Sequence, residues 1–420
     1  MDAFYASVEL LRYPELQGQP VVIGGGRRHQ PEPQADGTRR YATLDGYVGR
    51  GVITTATYAA RALGVHSGMG LMKAALRAPQ AVLLPVDFEQ YRAYSRRFKA
   101  AVVELAPVIE DRGIDEIYID LSEHPGAQDA VAHDPHGGVR AIALDLKNNV
   151  RRATGLSCSI GVTPNKLLSK IASDLDKPDG LTLLTLADLP ERIWPLPARR
   201  INGLGPKAGE KLAGLGIATI GQLARQDRSW LVQQFGRSYG AWLHDASHGV
   251  DERAVVTHSE PVSMSRETTF ERDLHARRDK AELGAVFTEL AHQVAADLQR
   301  KGYVGRTIGI KLRFEDFKTV TRDMTIELAT HDPATVRLAA GLCLKRVDLT
   351  RRIRLLGVRV GALQRAAGWV APAARDAAPF AETFTETFTE TFTETFTETF
   401  AEPSTETLAA PLAASPQATL

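Results

Sequence analysis

Two adjacent acids, Asp115 and Glu116, lie in the run Gly113-Ile114-Asp115-Glu116-Ile117-Tyr118-Ile119-Asp120, between a glycine that breaks the chain direction and a stretch whose apolar residues alternate with period two. Two carboxylates held at a bend between strands offer hard oxygen ligands to a divalent cation such as Mg2+. Two such ions a few ångströms apart can activate an attacking hydroxyl and stabilise a leaving pyrophosphate. An Asp-Glu pair at a turn is more often simply solvated, so the surrounding pattern must decide.

The elements that would hold those acids are legible. Ile109 to Leu121 reads as a β-hairpin with Ile117, Ile119 and Leu121 on one face. Val139, Ile142, Ala143, Leu146 and Val150 recur at helical spacing, Gly155 stops that helix, and Cys158, Ile160 and Val162 alternate as the next strand. Thr163-Pro164 offers an N-cap and a first-turn proline to a helix carrying Leu167, Leu168, Ile171 and Leu175. From about Ser173 the pattern is mainly helical, through Leu231 and Trp242. Residues 251–262 are polar, contain Pro261 and read as a linker. Residues 263–362 return to mixed strand and helix, with strand-like runs at Thr307 to Phe314 and Leu355 to Val360. Gly24 to Gly51, with three consecutive glycines, Pro31, Pro33 and the pairs Arg27/Arg28 and Arg39/Arg40, reads as a long mobile loop. Glu382 to Thr399 repeats Glu-Thr-Phe-Thr, which reads as a mostly disordered tail.

Composition bounds the answer. A chain of 420 residues with 44% hydrophobic and 24% charged residues is an ordinary multidomain protein, neither a single small binding module nor a disordered chain. No window approaches the ~18 consecutive apolar residues of a membrane span, and the amino terminus lacks a signal-peptide pattern, so no membrane association and a cytoplasmic location are expected. Cys158 and Cys343 are far apart and read as reduced core residues. The net charge of +1 hides an asymmetry: residues 263–362 carry 19 Lys and Arg against 13 Asp and Glu, whereas residues 363–420 carry 2 against 8. The basic block is a modest footprint for a polyanion.

Four segments in order carry a resemblance: Met1-Asp2-Ala3-Phe4-Tyr5-Ala6-Ser7-Val8-Glu9; Thr55-Ala56-Thr57-Tyr58-Ala59-Ala60-Arg61; the 113–120 hairpin; and Gly161-Val162-Thr163-Pro164-Asn165-Lys166 running on to Asp176-Lys177-Pro178-Asp179-Gly180. Together they resemble the Y-family DNA polymerases of the bacterial DNA polymerase IV type. A fifth, Ile201-Asn202-Gly203-Leu204-Gly205-Pro206-Lys207 leading into Lys211 to Ile217, resembles a helix-hairpin-helix module, whose backbone N–H groups at a helix start bind a DNA phosphate without reading sequence.

The resemblance implies an α+β multidomain, right-hand polymerase: a palm from residues 1–18 and 80–172, fingers at 19–79 with an enlarged loop at 24–51, a helical thumb at 173–250 with the helix-hairpin-helix at 201–217, a linker at 251–262 and an α/β little finger at 263–362, followed by the tail at 363–420. It implies template-directed, error-prone DNA synthesis across lesions, by nucleotidyl transfer with two Mg2+ ions. Asp115 and Glu116 are then the catalytic metal ligands, Tyr5 is the steric gate beneath the sugar, and Phe4, Thr55, Tyr58, Arg61 and Lys177 bind the nucleotide. DNA is gripped by Gly203, Gly205, Lys207, Arg351, Arg352 and Arg354, with Ile353 packed inward between the last of these. The implied partners are primer-template DNA and deoxynucleoside triphosphates, bound by a monomer. A sliding clamp is a further partner of the family, but no Gln-x-x-Leu-Phe peptide follows residue 362.

In the family the first metal-binding Asp lies two residues before the position of Asp2, upstream of Met1, so one of three metal carboxylates is missing from the sequence as written. A start codon assigned too far downstream is the expected cause. A real truncation would cripple two-metal catalysis and loosen the sheet edge where the strand belonged, and the spacing of Asp2 gives no reason to expect it to substitute. The rival readings are a non-catalytic, polymerase-shaped DNA-binding scaffold of a mutagenesis complex, which the missing Asp favours, and a structure-specific nuclease, which leaves Tyr5 and the triphosphate motifs unexplained.

Overall fold

The computed structural model describes residues 1–26 and 28–366, which form two separate compact units, residues 1–259 and residues 260 onward. The first unit begins with α1 (Phe4–Arg12), then β1 (Val21–Gly24), β2 (Glu32–Pro33), β3 (Arg39–Arg40), β4 (Ala42–Thr43), β5 (Ile53–Ala56), α2 (Tyr58–Ala62), α3 (Leu71–Ala75) and β6 (Val82–Leu84). The apolar run Val21-Val22-Ile23 is buried on both faces and becomes an inner strand, parallel to β6 and antiparallel to β5, in a sheet ordered β4-β6-β1-β5. The segment Gly24 to Gly51 is not a structureless loop. β2 and β3 pair as a short exposed ladder, β4 joins β6 at the sheet edge, and Leu44 and Tyr47 are buried in the local core. Two-residue strands are too short to show a period, and two apolar anchors carry the packing of a polar stretch.

Next come α4 (Phe88–Val103), β7 (Ile109–Asp111), β8 (Ile117–Ile119), α5 (Gly137–Thr154), β9 (Ile160–Val162), α6 (Lys166–Ala172) and β10 (Leu181–Leu183). β7 and β8 form the expected hairpin, with Ile109 opposite Ile119. Phe98 and Val102 of α4 and Leu146 and Val150 of α5 pack against Ile117, Ile119, Leu121 and Ile160. α5 ends at Gly155, whose φ of 73° is the left-handed conformation that glycine adopts without a Cβ penalty. Two expectations are corrected here. The cap of α6 is Asn165, whose side chain accepts from Leu168 N at 3.0 Å, while the Thr163 hydroxyl donates to Asn165 O, so the helix starts three residues after Thr163. The chain after Ser173 is not yet helical either, because β10 lies parallel to β9. Leu181-Thr182-Leu183 is too short to separate strand from helix by periodicity.

The helical part follows: α7 (Pro206–Gly214), α8 (Ile220–Ala224), α9 (Arg228–Phe235) and α10 (Arg237–Ser247) around Leu204, Leu212, Ile220, Leu231 and Leu243. The segment expected as a linker is tied down at its start. Asp251 accepts from Leu167 N at 2.9 Å, and Glu110 accepts from Val256 N at 2.9 Å.

The second unit comprises β11 (Ser263–Leu274), α11 (Lys280–Lys301), β12 (Tyr303–Phe314), β13 (Thr319–Thr330), α12 (Pro333–Leu344) and β14 (Ile353–Arg365). Its antiparallel sheet runs β11-β14-β12-β13. Phe287, Leu290, Val294 and Leu298, spaced along one face of α11, are buried against Ile308, Ile310, Val358 and Val360. β14 continues to Arg365, so residues 363–365 belong to the sheet and not to a tail. The Glu-Thr-Phe-Thr repeat lies outside the described residues. Both cysteines are free and buried, and among the described residues no helix is long and apolar enough to cross a membrane.

Candidate active site

The bend between β7 and β8 is closed by Arg112 N donating to Glu116 O at 3.0 Å, with Gly113 at φ 141°. It presents Asp115 and Glu116, both half-buried, to a cleft of about 910 Å³ that also contacts Met1, Lys170, Ser173 and Lys177. β8 and β9 border this cleft without being hydrogen-bonded to each other. The Met1 ammonium donates to the Asp115 carbonyl at 2.8 Å, which brings the start of α1 to the bend. The Asp115 carboxylate has no hydrogen-bond or ion-pair partner among the described residues. Glu116 is paired with Lys170 on α6. Burial pulls the Lys170 ammonium down, but Glu116 more than offsets this and the net shift is upward. Lys170 escaped the sequence reading. Its position one turn after Lys166, on the helix following the 161–166 motif, was the available signal.

Asp2 does a different job. It is 2% exposed, and its carboxylate accepts from Ser157 Oγ at 2.9 Å, Ser159 Oγ at 2.8 Å and Asp179 N at 2.9 Å. Those bonds fasten the head of α1 to the approach of β9, and they leave Asp2 unable to join Asp115 and Glu116. Among the described residues no group of three His, Cys, Asp or Glu side chains could hold a metal ion. The unpaired Asp115 carboxylate with Glu116 beside it nevertheless fits a hard divalent cation, since Mg2+ is commonly held by one or two carboxylates, with waters and substrate phosphates completing its shell.

Tyr5, on the first turn of α1, stacks on Tyr91 with centroids 4.3 Å apart and meets Phe88 edge-on at 5.9 Å. Burial raises its phenol pKa, and the charge of Asp115 raises it further. The Phe4 ring lies 5.7 Å from that of Tyr5 but is more deeply buried. It is 3% exposed and packs edge-on against Phe98, so its side chain is a core residue and offers no surface to a nucleotide.

A cationic cluster forms at the start of α2. Thr57 caps the helix, and Arg61 lies 4.9 Å over the Tyr58 ring, donating to Ala56 O at 3.0 Å and to the buried Thr55 hydroxyl at 3.5 Å. The Tyr58 hydroxyl is buried with no partner among the described residues. Its pKa is raised by burial first, then by Asp2 and Asp174. An orphaned donor beside a guanidinium suits a ligand rich in anionic oxygens. Lys177, 2.7 Å from Asp174, reaches the cleft.

The remaining expected residues lie elsewhere. Gly203 has φ 104°, and a Cβ there would meet Trp242 at 3.0 Å, so this turn requires glycine. Gly205 caps α7 at φ −75° with open space around it, so it is not needed for the turn. Lys207, in the first turn of α7, is exposed. In the second unit Ile353 is buried as expected, but the arginines around it are not equivalent. Arg351 is paired with Asp316 and lies over Phe314, and Arg354 is 3.6 Å from Asp273 and lies over Phe317. Arg352 is exposed with no ion-pair partner among the described residues.

Residues 1–174 match the impB/mucB/samB family, residues 261–371 match the C-terminal domain of that family, and residues 196–250 match the helix-hairpin-helix motif of DNA polymerase eta and Rev1. DNA polymerase IV of Methanoculleus marisnigri is 39% identical over 365 residues, covering 87% of this chain and 93% of that one. The chain belongs to the Y family of DNA polymerases. DNA polymerase IV of Streptomyces coelicolor is 37% identical, covering 86% of this chain and 70% of that one. A solved Y-family DNA polymerase chimera of Dbh and Dpo4 has the same fold, with a TM-score of 0.69 at 23% identity over 86% of this chain and 96% of that one. The right-hand architecture with a helix-hairpin-helix and a separate C-terminal α/β domain is therefore that of a Y-family polymerase, and the scaffold alternative is not favoured.

Proposed function

We propose that this Y-family polymerase performs translesion synthesis by adding a template-matched deoxynucleotide to a primer 3′-hydroxyl in the cleft beside Asp115. The hydroxyl gives its proton to water, its oxygen attacks the α-phosphorus, the bond from that phosphorus to the α,β-bridging oxygen breaks, and pyrophosphate leaves. Asp115 and Glu116 would hold the divalent cation, Mg2+ in this reading and two ions by the resemblance. Its positive charge would favour the alkoxide form of the primer and offset charge on the departing pyrophosphate. Arg61, Tyr58 and Lys177 orient the triphosphate, the guanidinium as a fork of donors and the ammonium as a point charge. Thr55 steadies Arg61 from behind, and Tyr5 lies beneath the sugar.

In this reading the palm comprises residues 1–18 and 80–172 with β10 added to it, the fingers 19–79, the thumb the helices from α7 to α10, and the little finger the second unit. DNA phosphates are bound at the N–H groups of α7 around Gly205, by Lys207 and by Arg352, and the chain works as a monomer in the cytoplasm. The observation that carries the proposal is the half-buried Asp115 carboxylate, unpaired and facing the cleft that Glu116, Lys170 and Lys177 share. Single-nucleotide primer extension tests it: only the complementary deoxynucleotide is added, and only with a divalent cation. Strand cleavage in its place would identify a nuclease, and neither activity would identify a scaffold.

A further inference from the structure

Tyr5, Glu9 and Arg12 fall at positions i, i+4 and i+7 of α1, so they share one face of the helix. That face lies on the first turns of α4. Tyr91 of α4 is fully buried, its ring stacks on Tyr5 at 4.3 Å with an interplanar angle of 22°, and its hydroxyl donates to Glu9 Oε1 at 2.7 Å. Phe88 stands edge-on to both rings, at 5.9 and 5.8 Å. The other Glu9 oxygen accepts from Arg12 at 3.1 Å, and Arg12 also reaches Asp87 at 3.0 Å. Asp87 is itself the N-cap of α4, accepting from Gln90 N at 3.2 Å.

A carboxylate only 2% exposed is expensive to keep unless its oxygens are bonded. The Glu9 carboxyl is accordingly pushed up by burial, with the bonds from Tyr91 and Arg12 acting against that push. An apolar residue would fill this position more cheaply. What Glu9 adds is an anchor: it holds the hydroxyl end of the Tyr91 ring in place, and that ring is the floor on which Tyr5 rests.

We infer that Glu9 and Tyr91 are positioning residues for sugar selection, holding the Tyr5 ring at the height that excludes a ribose 2′-hydroxyl. This rests on the reading of Tyr5 as the gate. Neither residue touches the nucleotide; they act through Tyr5. Freeing the Tyr91 hydroxyl lets the stacked pair tilt, and the steric penalty on the extra hydroxyl falls while the fit of a deoxyribose is kept. A misfit of one small group in a pocket is worth about 10- to 200-fold in discrimination, so partial loosening should cost about tenfold.

The test compares complementary deoxynucleotide with ribonucleotide insertion in wild type, Tyr91→Phe, the double variant Glu9→Leu/Tyr91→Phe, and Tyr5→Ala. Tyr91→Phe keeps the stack and removes the bond. The double variant removes both polar partners together, so no buried group is left unsatisfied and folding is preserved. The same ratio is read from nucleotide affinities in Ca2+-held complexes with primer-template, which need no turnover. The expected result is a ratio of deoxynucleotide to ribonucleotide efficiency lowered about tenfold in both Tyr91 variants, with deoxynucleotide insertion within about threefold of wild type, and a larger drop in Tyr5→Ala. A ratio unchanged in both Tyr91 variants while Tyr5→Ala lowers it overturns the inference and leaves the gate standing. Equal losses for both sugars reduce Glu9 and Tyr91 to a structural role. A ratio unchanged in Tyr5→Ala removes the gate, and the inference with it.

Discussion

Removing the Glu110 carboxylate should unfasten the strap at residues 251–256. Glu110 on β7 and Lys166 on α6 are 6% and 7% exposed, and their charges meet at 2.6 Å. Lys166 also donates to Ala254 O at 2.7 Å, and Glu110 accepts from Val256 N at 2.9 Å and from Arg112 at 3.3 Å. Glu110→Ala strands the Lys166 ammonium with one carbonyl, and loss of one partner from a buried pair costs about 3–5 kcal/mol. The double variant Glu110→Ala/Lys166→Met buries no lone charge. Its main loss is the orphaned Val256 amide, about 1–3 kcal/mol, so the cycle should show coupling of about 2 kcal/mol or more. Urea unfolding followed by fluorescence of Trp194, Trp230 and Trp242, all in the first unit, measures it. Burial alone pushes the Glu110 carboxyl up, but the bonds from Lys166 and Val256 outweigh it and leave the pKa below 4.5. The native state therefore binds that proton more weakly than the unfolded chain does. The stabilisation is fully present above pH 4.5 and is lost as pH falls through the lowered value, and Glu110→Ala should flatten the stability profile in that window. A Glu110→Ala protein within 1 kcal/mol of wild type at pH 7, or additive single variants, would refute the reasoning.

Two further outcomes follow from particular residues. Gly203→Ala places a Cβ 3.0 Å from Trp242 at φ 104°, so thermal unfolding should show a loss of about 1–2 kcal/mol or more, whereas Gly205→Ala, with open space around it, should cost less, about 0.5–1 kcal/mol, for the poorer N-cap that alanine makes. Arg352→Ala should weaken DNA binding uniformly across sequences and reduce the salt dependence by about one phosphate contact. Arg351→Ala and Arg354→Ala, whose guanidiniums already face Asp316 and Asp273, should change it less; titrations of fluorescent primer-template at several salt concentrations separate them.

Much of this arrangement was legible in the sequence because it is local. The hairpin carrying Asp115 and Glu116 and the helix ending at Gly155 each follow from a period of two or 3.6 and a breaking glycine, and the buried Ile353 from its place among arginines. What the sequence hid depends on distant partners. What Asp2 does instead of binding metal was hidden, because Ser157, Ser159 and the Asp179 amide that bond its carboxylate lie more than 150 residues away. Phe4 and Tyr5 are neighbours of similar chemistry, and only the fold buries Phe4 in the core while leaving Tyr5 half-buried and stacked on Tyr91. Arg351, Arg352 and Arg354 read alike until their acids are located. The folding of the 24–51 segment rests on Leu44 and Tyr47, whose burial no local pattern announced.

Single-turnover primer extension by the protein and its Asp115→Asn variant, with equal DNA affinity verified for both, tests the role of the Asp115 carboxylate most directly. A template-matched nucleotide added in the presence of Mg2+ by the parent, and lost by about 100-fold or more in the variant, an effect of about 2.7 kcal/mol on the barrier, is the predicted result. Extension by Asp115→Asn at the parental rate would contradict it, as would a parent that binds primer-template but adds no nucleotide with Mg2+ or Mn2+.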